Sequence, residues 1–444
     1  MKPTFVLWLA LMLVASAFSQ NPLIMDQFTA DPSARVFDGK VYVYPSHDIR
    51  KDSGRFATWF CMEDYHVFSS ENLTQWKDHG VILSQYDVPW VDTTSYSMWA
   101  PDCIEKNGKY YFYFPAIAED KSVAEGRRVG VAVSDSPTGP FVPQSEPMDS
   151  VYGIDPNPFI DKDGQAYLYW GGGEKLYMAK LKDNMLELET QPQVVQELPP
   201  KFKEGPYLFE RNGKYYFTFP HVPETTEQLV YAMGDNPMGP FEYQGVIMEE
   251  SPDGCWTNHH SIIKYQGQWL LFYHHNDLSP HFDKNRSIKA DSLFFNADGT
   301  IQEVEPSWRG VGISPADSRI QVDRYSQISD EGATTAFIDT LDRHKGWEVT
   351  LHDSESWVRY DKVDFESSSL NQMQARVKGE PGAVFEVRLD SLNGKVLSTV
   401  KMKKGHDHWN ISETALNEVS TGVYDLFVVS TGEAPVSIDW IRFE

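Results

Sequence analysis

The sequence is poor in cysteine, poor in positive charge and, past its first twenty residues, free of long apolar runs. Its three cysteines, Cys61, Cys103 and Cys255, are odd in number and widely scattered. That excludes a disulfide framework, and zinc-ligand spacing is missing. Lys and Arg number 39 against 64 Asp and Glu, a formal net charge of −25. Such a balance argues against nucleic acid and anionic membranes as partners. No segment after the start approaches 18 consecutive apolar residues, so no membrane span is expected there. Long amphipathic helical patterns are also missing.

The start itself reads as a leader. Lys2 is basic, Phe5–Val14 is apolar, and Ala17-Phe18-Ser19 has the small-x-small form of a cleavage site. Residues 1–19 are therefore expected to be a signal peptide, and the mature protein to be secreted or periplasmic. The remaining length has room for two or three domains.

Aromatics are plentiful at 14% of residues, with thirteen Trp and twenty-two Tyr. Flat rings suit stacking on sugar rings; they equally suit a large β core. Many of them recur in one pattern. Asp38-Gly39, Asn107-Gly108, Asp163-Gly164, Asn212-Gly213 and Gln266-Gly267 each feed a strand rich in aromatic or branched residues. The glycines lie 69, 56, 49 and 54 residues apart. A period near 50 residues, all strand, predicts a β-propeller of four-stranded blades, here five, over residues 22–315. Residues 319–444 lack that signature. Alternating runs such as 382–389 and 423–429 predict a β-sandwich.

Counting eight or nine residues back from each turn glycine gives Asp31, Trp99, Asp155, Glu204 and His259. The first strand of each propeller blade lines the axis, so these five positions converge. Three carboxylates in one pocket repel each other and drive their pKa values apart. A structural role explains that cost poorly. One protonated and one ionised carboxyl is what glycoside hydrolysis needs.

The motifs around these residues resemble glycoside hydrolase family 43, five-bladed propeller enzymes acting on arabinose- and xylose-containing plant polysaccharides. The matching residues are Thr29-Ala30-Asp31-Pro32, Trp99-Ala100-Pro101-Asp102, Ile154-Asp155-Pro156, Glu204-Gly205-Pro206 and Asn258-His259. The resemblance implies Asp31 as general base, Glu204 as general acid and Asp155 as the residue that orients and tunes the acid. It further implies Trp99 as a pocket wall, His259 near the pocket floor and Arg286 as a sugar contact. Hydrolysis would invert the anomeric carbon, with no cofactor required. Retaining fructosidases of similar fold carry Arg before the central Asp-Pro and Cys after the acid; Ile154 and Gly205 stand there instead.

The C-terminal part resembles carbohydrate-binding module family 6, a jelly-roll sandwich, through Ile320-Gln321-Val322-Asp323, Trp357-Val358-Arg359-Tyr360 and Ile438-Asp439-Trp440. That family implies a possible structural calcium, with Asp323 and Asp439 as candidate ligands. The expected function is release of α-L-arabinofuranosyl residues from a polysaccharide such as arabinoxylan. The alternatives are a β-xylosidase of the same fold and a non-catalytic glycan-binding propeller.

Overall fold

The structure, a computed structural model, describes residues 17–18, 21–172, 174–366 and 370–444. The expected leader falls outside the described residues except for Ala17–Phe18, whose backbone pairs with Gln75 and Trp76. No helix among the described residues is long and apolar enough to cross a membrane.

The first two thirds of the chain form five antiparallel sheets, each led by an inner strand. The leading strands are Phe28–Phe37, Asp102–Lys106, Ile154–Ile160, Tyr207–Arg211 and Ser261–Tyr265. Four of the five inner hairpins close through Asp38-Gly39, Asn107-Gly108, Asn212-Gly213 and Gln266-Gly267, with φ positive at both residues of each pair. This is the turn whose twist matches that of the strands it joins. Alternate strand residues such as Tyr113, Tyr169, Phe217 and Phe272 are fully buried between neighbouring sheets.

The ring closes through hydrogen bonds that pass from sheet to sheet. Arg35 Nε of the first sheet and Asn157 Nδ2 of the third both donate to Asp102 of the second, at 2.9 and 2.7 Å. Leu208 N of the fourth donates to Asn157 Oδ1 at 2.9 Å, and Tyr207 Oη reaches Ile262 O of the fifth at 3.0 Å. Ser261 Oγ returns to the first sheet, donating to Pro32 O and accepting from Ala34 N. Polar groups buried this way must be satisfied, so the circuit fixes the five inner strands around one axis.

The fifth sheet departs from the expected four strands. It has three, Ser261–Tyr265, Gln268–His275 and Ser287–Leu293. Its outer edge is covered by the segment starting at Asn21. Leu23 N donates to Ile288 O, and Asn21 Oδ1 accepts from Ala290 N. The beginning of the propeller thus fastens onto its last sheet.

The C-terminal domain is two facing antiparallel sheets around one apolar core that includes Val349, Phe385, Val387, Ile438 and Phe443. Ser314–Pro315 already pairs with Val363 and Asp364 of this sandwich, and Ala316 lies in its core. The two domains are joined by more than the chain. Arg309 Nε donates to Asp361 O at 2.9 Å, and the rings of Trp308 and Trp347 meet at 5.3 Å.

Candidate active site

All six propeller residues singled out from sequence line one cavity of about 400 Å³ on the propeller axis. Asp31, Trp99, Asp155, Glu204, His259 and Arg286 are joined there by the aromatic walls Trp59, Phe60, Phe202 and Trp256. An apolar, ring-lined wall with a few convergent polar groups is the usual make-up of a small-ligand site.

Local backbone explains how the carboxylates are aimed. Asp31 and Asp155 have φ of +49° and +56°, uncommon for residues with a side chain. Each sits where strand register slips, between Ala30 and Ser33 and between Ile154 and Asn157. The following prolines disfavour a right-handed helical turn and remove an amide donor. A bulge re-aims a side chain, here toward the axis. Glu204 instead precedes its strand. Gly205, at φ +51°, leaves no room for a side chain: an added Cβ would lie 2.9 Å from Pro220 Cδ and 3.1 Å from His259 Nε2.

Asp31 is ionised. Arg286 Nη1 and Nη2 donate to its two oxygens at 2.9 and 3.2 Å, and Ser46 Oγ donates to Oδ2 at 2.6 Å. Burial alone would raise its pKa, but the Arg286 guanidinium and, less strongly, the Ser46 hydroxyl hold it down at about 2. Its backbone N–H donates to His274 Nδ1 at 2.9 Å, which makes His274 a neutral ring protonated on Nε2. Thr257 Oγ1, 3.0 Å from that Nε2, accepts the hydrogen bond it donates.

Asp155 and Glu204 are pushed the other way. Burial raises Asp155 well above the usual carboxylate range, and the nearby Glu204 and Asp31 add to it; the Gly205 N–H donated to Oδ2 at 3.0 Å partly opposes the rise. Glu204 is likewise raised well above its ordinary value, first by burial, then by Glu227 and Asp31. The cavity therefore holds one carboxylate, Asp31, and two carboxyls raised toward their protonated form, Asp155 and Glu204, so an acid and a base are available together. His259 is held neutral, mainly by burial, with Nδ1 3.8 Å from Asp31 Oδ1.

Arg286 is used differently from the sequence expectation. Besides Asp31, its Nε and Nη2 donate to Asp48 at 2.9 Å each, and Nη1 reaches Thr257 Oγ1 at 3.2 Å. All five N–H donors are engaged within the protein, so the guanidinium has none left for a sugar hydroxyl. It serves as the clamp that holds Asp31 charged.

Sequence reasoning missed Ser46, Asp48, Thr257, His274 and Glu227. Asp48 ends a strand and His274 lies in an apolar one; neither sits at a turn or motif that marks it. Their roles come from contacts across more than 200 residues of chain.

The calcium expected in the sandwich does not fit the residues present. Asp323 is bound by Arg324 at 2.5 Å, and Asp439 by Arg376. Arg319 and Arg324 also lie close enough to Asp439 to favour its charged form. Three guanidiniums around two carboxylates leave net positive charge, the wrong sign for a cation that takes six to eight oxygen ligands. Among the described residues one His/Asp group has metal-like proximity, His47, Asp64 and His66. Ordinary pairing accounts for it, His47 to Asp64 at 2.7 Å and His66 to Asp78 at 3.1 Å.

Residues 19–301 match the sequence model of glycosyl hydrolases family 43, and residues 326–444 that of carbohydrate binding module family 6. The chain belongs to glycosyl hydrolase family 43. It is a glycoside hydrolase with an appended module-like sandwich. Xylosidase/arabinosidase 43A of Humicola insolens is 41% identical over 64% of this chain and 99% of its own length. A family 43 enzyme of Xanthomonas citri, solved with xylotriose, is 37% identical over 65% of this chain and 94% of its own, at TM-score 0.58. The arabinoxylan arabinofuranohydrolase of Bacillus subtilis spans both domains. Its solved structure, in complex with cellotetraose, is 26% identical over 95% of this chain and 97% of its own, at TM-score 0.56.

Proposed function

We propose that this family 43 enzyme acts outside the cytoplasm and releases α-L-arabinofuranosyl residues from arabinoxylan by single displacement. The observation that carries the reading is the opposed charge state of two carboxyl groups on one cavity, Asp31 ionised and Glu204 protonated. Asp31 removes a proton from a water that attacks the anomeric carbon. Glu204 gives its proton to the leaving oxygen as the glycosidic bond breaks. The released sugar carries the new hydroxyl on the opposite face. Asp155, bonded to Gly205 N, holds the backbone that presents Glu204. Trp99 forms a wall against the sugar. No cofactor enters any step.

Arabinose is favoured because an arabinoxylan arabinofuranohydrolase of Bacillus subtilis is similar across 93% of this chain and a xylosidase/arabinosidase of Thermoclostridium stercorarium across 94%, and both names include release of arabinose. A second reading, β-xylosidase, draws on a β-xylosidase of Xylanibacter ruminicola that is 39% identical over 63% of this chain. Comparing kcat/KM on 4-nitrophenyl α-L-arabinofuranoside and β-D-xyloside separates them. A preference of about tenfold or more for the arabinofuranoside, roughly 1.4 kcal/mol, supports the first reading. Equal or reversed rates refute it.

A further inference from the structure

The sandwich has a cavity of about 560 Å³ that shares no lining residue with the catalytic one. It lies against the sheet that contains Gln372–Gly379, His406–Ala415 and Val436–Phe443, on the face turned away from the core. Ala375 and Val377 belong to the core, so Arg376 between them points to the cavity side. Register slips beside Arg376, where the partner strand holds one residue more. That bulge sets Asp439 and Trp440 on the cavity together. Arg319 enters from the chain just before Ile320–Gln321, which pairs with the same strand.

Three cations line this cavity against one carboxylate. Arg376 is bound to Asp439, and Lys345 to Asp339 and Asp342 at 2.8 and 3.4 Å. Arg319 is different. It is exposed and has no hydrogen bond or ion pair to any described residue; its guanidinium lies over the ring of Trp440, 4.7 Å from the centroid. Trp409 is covered in the same way, with Arg376 and Lys378 each 4.8 Å from its ring centroid. The indoles that would stack on a neutral sugar carry cations instead. A guanidinium seated on a ring is held in place and keeps its N–H donors for an acceptor.

We infer that this cavity binds a sugar bearing a carboxylate, a uronosyl residue of an acidic polysaccharide, with Arg319 as its main contact. The carboxylate pairs with Arg319 through two parallel N–H donors, the geometry a guanidinium offers and an ammonium does not. Asp439 does not oppose it, because Arg376 holds that charge. Ile338 and Ile411 give the sugar ring an apolar border. A sugar is favoured over a free anion because residues 326–444 match a carbohydrate-binding family and the cavity has room for a whole ring. An acidic branch held here keeps the polysaccharide near the propeller and raises its local concentration there. The inference stands whether the propeller releases arabinose or xylose.

The test is calorimetric titration of the full chain with the methyl glycosides of glucuronic and galacturonic acid, each against its neutral parent, the methyl glycoside of glucose or galactose. Acid and neutral sugar differ only in a carboxylate for a hydroxymethyl group. At least one acid is expected to bind about tenfold or more tighter than its neutral parent. Arg319→Gln should bring the two within about twofold, and Arg319→Lys, which keeps the charge without the fork, should fall between. Raising sodium chloride from about 50 to about 500 mM should weaken the acid several-fold and leave the neutral sugar unmoved. Melting curves check that the variants are folded. Equal affinity for acid and neutral sugars, or acid binding untouched by Arg319→Gln, overturns the inference. Inorganic phosphate binding as tightly as the better acid, and lost with Arg319→Gln, would mark a bare anion site and overturn the assignment to a sugar.

Discussion

Burying a carboxyl that stays protonated to about pH 8 leaves a mark on stability that needs no substrate to detect. In the unfolded chain Glu227 titrates near its ordinary value of 4.5; in the folded protein it titrates at about 8. Between those values folding takes up a proton, so stability is full below pH 4.5 and drains away as pH rises through the window. The slope is about 1.4 kcal/mol per pH unit for one such group. From pH 5 to pH 8 that amounts to about 4 kcal/mol. Glu204 and Asp155, raised in the same direction, add to the slope. Glu227→Gln removes one of the three contributions while keeping the bond that Glu227 Oε2 accepts from Asn258 N. Its melting temperature should match the parent at pH 5 and exceed it at pH 8. A domain of this size moves by roughly 2–4 °C per kcal/mol, so the gap at pH 8 is on the order of 10 °C. Calorimetry or tryptophan fluorescence across this pH range measures it. Parallel curves for parent and variant would refute the buried, protonated state of Glu227.

Two further outcomes follow from the same geometry. Ser46→Ala deletes a donor to the Asp31 carboxylate, a bond of about 1.5–3 kcal/mol, so the acid limb of kcat/KM should move up from about pH 2 by roughly 1–2 units; an unmoved limb, measured in short assays, counts against Asp31 as the base. Gly205→Ala forces a Cβ against Pro220 and His259 at a positive φ, and should cost about 1–3 kcal/mol of stability and displace Glu204. Activity on arabinoxylan oligosaccharides equal to the parent's would show that the acid does not depend on that backbone.

The turn glycines made the propeller legible, because a tight hairpin needs positive φ and Asn-Gly or Asp-Gly supplies it. Aligning on those turns was enough to gather Asp31, Trp99, Asp155, Glu204 and His259 on one axis. The sandwich strands were legible from simple alternation. What the alignment could not carry was pairing between blades. Arg286 looked free to meet a sugar, yet Asp48 and Asp31, more than 230 residues away in sequence, occupy four of its five donors and Thr257 the fifth. Glu227 sits in Thr225-Thr226-Glu227-Gln228 with no glycine, proline or periodicity to mark it; only burial beside Glu204 gives it meaning. The fifth blade lacked a fourth strand because the outer edge is filled by Asn21–Leu23, from the other end of the propeller. Asp323 and Asp439 matched a calcium pattern one residue at a time, and the arginines that bind them lie on other strands or beside them.

The account turns on a water activated by Asp31 on one face of the sugar and a proton delivered by Glu204 on the other. Proton NMR of the first-formed sugar, recorded before mutarotation, reads that geometry directly. Hydrolysis of an α-L-arabinofuranoside is predicted to yield β-L-arabinofuranose first. Initial release of the α anomer would contradict it.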